Sequence, residues 1–185
     1  EPSAGGVNSS EGTIILTFDQ TVPAGDIITI TETLSSFPSA NASSVIGAVS
    51  STGNGLFYQS TYGDGLWAYT GSLNSPVTFI AAFGNDGNYG FQTSKEGLLT
   101  ETILTEGVNA VAPIEKDNYR YNGVLTSGTK EQLLSAINNN QNWIGNNTIH
   151  ETFSGSFFVD SPQTVIWNGS INGNWSLASN WTPNT

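Results

Sequence analysis

Apolar residues in this chain recur at every second position, in short runs that glycine, proline or asparagine cuts off before a helix can form. In Gly12–Gln20, Ile14, Leu16 and Phe18 share one face; in Gly25–Thr33, Asp26, Ile28 and Ile30 alternate with Ile27, Thr29 and Thr31. A period of two puts successive side chains on opposite faces of a strand. The intervening Thr21-Val22-Pro23-Ala24-Gly25 reads as a turn, with Pro23 presetting φ and Gly25 free to take a positive one. The same signature predicts strands at Ser44–Ser50, Gly55–Thr61, Gly65–Thr70, Val77–Phe83, Val108–Glu115, Thr152–Val159 and Thr164–Trp167. β-Branched and aromatic residues fill these runs, as a pleated, half-buried surface prefers.

One segment departs from the pattern. Thr129-Lys130-Glu131-Gln132 has the spacing of a capping box, and Leu133, Leu134, Ala136 and Ile137 then supply a helical apolar face. Asn138-Asn139-Asn140 ends it. Many strands and one short helix, at about residues 129–139, predict a mainly β fold: an antiparallel β-sandwich covered by that helix. Residues 1–10 read as a flexible leader and 11–160 as the sandwich module. Residues 161–185, with Trp167, Trp175 and Trp181 close together, read as a C-terminal strand or linker, or the start of a following repeat.

With 185 residues, 37% of them hydrophobic, the chain is long enough to bury a core without disulfide or metal staples. Only 10% of residues are charged, so solubility rests on Asn, Ser, Thr, Gly and Gln, a surface that suits secreted and cell-surface β proteins. Fifteen carboxylates face only Lys95, Lys116, Arg120 and Lys130, for a net charge of −11. That balance argues against nucleic acid and against docking on anionic lipid. Divalent cations or a neutral polysaccharide are the more natural partners. The absence of cysteine excludes thiolate metal sites, cysteine nucleophiles and disulfides, so an exported chain of this kind is bacterial or archaeal in style. No apolar run is long enough for direct membrane insertion. Without methionine, the chain reads as a processed product or an excised segment.

Candidate chemistry is sparse. In Gly84-Asn85-Asp86-Gly87-Asn88-Tyr89-Gly90, the oxygens of Asn85, Asp86 and Asn88 sit on a tight turn that suits calcium, without the ligand spacing of an EF-hand. Gly63-Asp64-Gly65 is a weaker version of the same turn. The single histidine, His150, lies beside Glu151 with no second histidine and no nucleophile elbow, and reads as a surface residue. No carboxylate pair stands in a context that marks glycoside hydrolysis. No catalytic residue is therefore assigned. Trp67 and Tyr69 alternate with Leu66 and Ala68 and are assigned to the core. Trp175 and Trp181 are left for a ligand or a neighbouring domain.

Two blocks carry a resemblance. The first is Gly63-Asp64-Gly65-Leu66-Trp67-Ala68-Tyr69-Thr70-Gly71 with Phe79-Ile80-Ala81-Ala82 after it. The second runs from Tyr121-Asn122-Gly123 through Ser127-Gly128-Thr129-Lys130-Glu131-Gln132-Leu133-Leu134-Ser135-Ala136-Ile137-Asn138 to Trp143. Together they resemble a β-rich module of large secreted and surface proteins of Bacteroidota, cyanobacteria and marine bacteria. Ile166-Trp167-Asn168-Gly169 with Asn180-Trp181-Thr182-Pro183 is similar to a separate repeat of flavobacterial surface proteins. The resemblance spans roughly two-thirds of the chain. It implies a secreted or cell-surface location and a non-catalytic structural or adhesive role, with neighbouring copies or adjacent domains as partners. The alternative it implies is a carbohydrate-binding module attached to a secreted polysaccharide-active or nuclease enzyme.

In the module, strands precede the block that matches Glu11–Thr17, where this chain has only its leader. Either the fold is complete without those strands, or an edge is open; an open sheet edge there would accept a strand from another copy, making the protein a fibre subunit. Residues 163–170 are the expected donor. Val165, Trp167, Trp175 and Trp181 are the expected assembly or ligand contacts.

Overall fold

A computed structural model describes residues 2–3, 6–7, 13–33, 36–41, 46–52, 65–72, 75–84, 91, 97–160, 166–167, 176 and 180–182. The protein is mainly β, with one α-helix among these residues. The first half holds β1 (Pro2–Ser3), β2 (Gly6–Val7), β3 (Thr13–Phe18), β4 (Thr29–Thr33), β5 (Ser36–Asn41), β6 (Ile46–Thr52), β7 (Gly65–Ser72) and β8 (Ser75–Gly84). The second half holds β9 (Ala110–Val111), β10 (Asn118–Tyr121), β11 (Ser127–Gly128), α1 (Lys130–Ile137), β12 (Trp143–Asn146), β13 (Phe158–Val159), β14 (Ile166–Trp167) and β15 (Trp181–Thr182). The described strands pair in small sheets of two or three, none of which closes on itself.

The longest ladder is the β7–β8 hairpin, running from Gly65 opposite Gly84 to Ser72 opposite Ser75. Its register shifts between Ala68 and Tyr69 and between Thr70 and Gly71. Pro76 stands opposite Gly71, at the second irregularity, where a ladder tolerates a missing N–H. β9 joins β8 in parallel, Ala82 opposite Ala110 and Phe83 opposite Val111. The strand predicted over Val108–Glu115 is therefore much shorter. Gly107, at φ +81°, turns the chain just before it and donates its N–H to the Ala110 carbonyl at 2.8 Å. Pro113 removes the donor that would continue it.

Among the described residues, β8 separates two clusters. On one side Ala82 packs with Phe91, Leu104, Ala110 and Ala112, against which Trp67, Phe79 and Leu99 close. Trp67 meets Phe79 and Phe91 edge-on, with centroids at 5.9 and 5.2 Å, so its assignment to the core holds. On the other side Phe83 meets Tyr119 at 5.2 Å and Trp143 at 5.0 Å. The rings continue through Tyr121 to Phe153 and Phe157, which stack on each other at 5.3 Å. β10 and β12 carry the middle of this chain of rings and pair antiparallel, Tyr121 opposite Trp143.

Thr152–Val159, predicted as one strand, pairs only at Phe158 and Val159, in parallel with β11. Ahead of that pair, Phe153 and Phe157 are committed to ring packing rather than to a ladder. The predicted turn at Pro23–Gly25 forms: Asp26 N–H reaches the Pro23 carbonyl at 3.2 Å and Gly25 takes φ +93°. A Cβ on Gly25 would also strike the Phe157 carbonyl, so this turn packs against the distant end of the chain. Within the residues read as a leader, Pro2–Ser3 pairs with Gly6–Val7. The strand predicted at Gly55–Thr61 lies outside the described residues.

α1 begins as its sequence requires. Thr129 Oγ1 accepts from Gln132 N–H at 3.3 Å, and Gln132 Oε1 accepts from Thr129 N–H at 2.9 Å. Its buried face is narrower than predicted. Leu133 is buried and Ala136 and Ile137 half-buried, but Leu134 is 40% exposed. The apolar stripe therefore follows positions i, i+3 and i+4 from Leu133, and its neighbour falls on the solvent side.

Candidate functional site

The end of α1 and the turn at residues 105–109 build one side of an open polar groove. Asn138 caps the helix and donates its backbone N–H to the Leu134 carbonyl at 2.9 Å. Its side-chain Nδ2 donates to the same carbonyl at 2.8 Å and to the Val108 carbonyl at 2.9 Å. One asparagine thus satisfies a helix end and staples it to a turn thirty residues earlier. That turn is held from within by Asn109, whose Oδ1 accepts the Thr105 N–H at 2.6 Å. The groove has a volume of 610 Å³ and is lined by Glu106, Ser135, Asn138, Asn139 and Asn140 among others.

Asn138 is 7% exposed, and its Oδ1 receives no hydrogen bond among the described residues. Asn139 Oδ1 accepts the Gln141 N–H at 3.0 Å, in a short 3-10 turn over Asn140–Asn142. Ser135, Asn139 and Asn140 are exposed. The groove wall is therefore mostly neutral amide and hydroxyl, with the Glu106 carboxylate as its one charge.

A second polar cluster sits at the far end of β10 and β12. Arg120 Nε donates to Glu151 Oε2 at 3.2 Å, and Asn146 Nδ2 donates to Glu151 Oε1 at 2.7 Å. Arg120 also donates to Asn122 Oδ1 at 3.3 Å. Both carboxylate oxygens are thus used in joining the strand pair to the following loop. His150, the residue before Glu151, is exposed. Beside this cluster the Tyr119 hydroxyl donates to the Ile114 carbonyl at 2.9 Å and accepts the Lys116 N–H. Burial pushes its pKa up to about 12, the charges of Glu115 and Asp117 adding to the effect and the Lys116 N–H opposing it.

Of the residues singled out in the sequence, Asn85, Asp86 and Asn88 lie outside the described residues, as do Val165 and Trp175. Among the described residues no three His, Asp or Glu side chains converge as metal ligands. Trp167 and Trp181 are brought opposite each other in an antiparallel ribbon, with Ile166 opposite Thr182. Ile166 is 60% exposed and Asn180, just before the second strand, is fully buried.

The groove residues Ser135, Asn138, Asn139 and Asn140 were not singled out by sequence reasoning as functional. The asparagine run was legible only as a helix stop, and its other use depends on the distant Val108 carbonyl. Compared with known proteins, the chain matches no family model, no curated protein and no solved structure.

Proposed function

We propose that this protein is a non-catalytic structural or adhesive module of a bacterial surface protein, exported from the cell, and that it joins neighbouring copies or adjacent domains through its C-terminal ribbon. The observation that carries this reading is the β14–β15 pair, in which Trp167 stands opposite Trp181 in register and Ile166 is exposed. A ribbon of two short strands is marginally stable alone and gains from a further strand or a covering surface. The mode of joining is strand addition, which builds a fibre, and the small sheets stack as a β-sandwich with α1 as its cover.

The use of the aromatic residues supports a scaffold. Trp67, Phe79, Phe83, Phe91, Tyr119, Tyr121, Trp143, Phe153 and Phe157 all pack ring against ring. They link segments far apart in the chain, where a sugar-stacking strip would present rings side by side on one open face. With no cysteine to oxidise and few charged residues, such a scaffold suits an extracellular setting. Solution mass before and after deletion of residues 163–185 tests the reading. Assemblies that fall to monomers on deletion support it; assemblies that persist would remove the ribbon from the interface.

A further inference from the structure

We propose that the groove beside the end of α1 binds a neutral, hydroxyl-rich ligand, a sugar residue of a polysaccharide, with Asn138 Oδ1 as its buried acceptor. The orientation of Asn138 is set by its surroundings. Its Nδ2 faces two carbonyl oxygens, of Leu134 and Val108, and a flipped amide would put oxygen against both. Oδ1 is left on the remaining side of a residue that is only 7% exposed and that lines the groove. Buried acceptors in folded proteins almost always receive a donor, and here the chain supplies none among the described residues. An O–H from a bound ligand completes it.

The rest of the wall selects the kind of ligand. Ser135, Asn139 and Asn140 each carry groups that donate and accept, which is the pattern a ring of sugar hydroxyls presents in return. Glu106 is acceptor-only when ionised and suits a pair of neighbouring hydroxyls. The same carboxylate, on a chain of net charge −11, disfavours sulfated or uronic sugars. The volume of 610 Å³ falls in the range of small-molecule sites and exceeds what a single cation fills. Amide N–H groups in the wall also oppose a bare cation. This inference does not depend on assembly through the ribbon, which lies elsewhere in the chain.

The test is a titration of the ¹⁵N-labelled full chain with cellohexaose, mannohexaose, xylohexaose and neoagarohexaose, with calcium chloride run in parallel, reading the side-chain amide signals of Asn138, Asn139 and Asn140. The expected result is a saturable shift of those signals with at least one oligosaccharide. Ser135→Arg, at an exposed helix position, fills the groove and weakens that binding at least about tenfold. Asn140→Arg, outside the helix, gives an independent blockade with the same expected loss. No shift with any of the four sugars would overturn the proposal, as would binding that neither variant weakens. A shift with calcium alone would overturn it in favour of a cation site.

Discussion

Trp143 donates its indole N–H to the Ile137 carbonyl at 2.7 Å, tying the last turn of α1 to the first residue of β12. The same indole meets Phe83 at 5.0 Å and Tyr121 at 5.8 Å, both edge-on. One side chain therefore joins the helix to the ring cluster beneath it. Replacing Trp143 by Phe keeps a ring but leaves the Ile137 carbonyl without this donor. The expected cost is about 1–3 kcal/mol in urea unfolding. Trp143→Ala removes the ring contacts as well and is expected to cost about 3–5 kcal/mol.

Gly123 is needed for what it lacks. Tyr121 is buried, donates its hydroxyl to the Leu125 carbonyl at 2.9 Å, and lies where a Cβ on Gly123 would fall. Gly123→Ala forces the phenol off that carbonyl and out of its contacts with Phe153 and Phe157. The expected loss is about 1–3 kcal/mol. Adding Tyr121→Phe to the alanine variant should cost less than the sum of the two single changes, which a double-mutant cycle in urea measures.

Alkaline pH should loosen the fold through Tyr119. Its hydroxyl has a folded pKa of about 12 against an ordinary value of 10.0. Below pH 10 both folded and unfolded chains hold the proton, and the stability it contributes is fully present. As pH rises from 10 to 12 the unfolded chain ionises first, and that contribution is lost. Tyr119→Phe should flatten the fall in stability across this window while lowering stability at neutral pH, since two hydrogen bonds go with the hydroxyl. Tyrosinate absorbance and urea midpoints from pH 8 to 12 read both effects.

Glu151 joins Arg120 and Asn146, and the pair with Arg120 is partly sheltered from solvent. Glu151→Gln replaces a carboxylate oxygen with a donor that faces another donor. The expected loss is about 1 kcal/mol. Added salt should lower the stability of the parent more than that of the variant, because only the parent carries the ion pair.

The parts of the fold legible in the sequence are those whose signals are local. Thr129 and Gln132 lie within one helical turn, and the capping box they announce is present. Pro23 to Gly25 announces its turn in the same way. β3, β7 and β8 follow from apolar alternation, with ends displaced by a residue or two. β10 and β12 were missed because Asn118, Arg120 and Asn146 dilute the pattern. Those residues are accommodated by Glu151 and by one another, which no window of sequence displays.

Leu134 was misplaced because four apolar residues in a short helix do not say which three face inward. The groove was hidden for a similar reason: Asn138 acquires its second role only when the chain returns Val108 to it. The pairing of Trp167 with Trp181 spans a stretch too long for a hairpin signal to bridge.

The most direct test of the ribbon as a joining surface is light-scattering mass of the full chain across a hundredfold concentration range, beside the variant Ile166→Glu. That substitution puts a charge on a residue already 60% exposed, so it should leave the fold intact. Assembly through the ribbon predicts a mass that rises with concentration in the parent and stays monomeric in the variant. A parent that remains a monomer throughout, or a variant that assembles equally well, would contradict it.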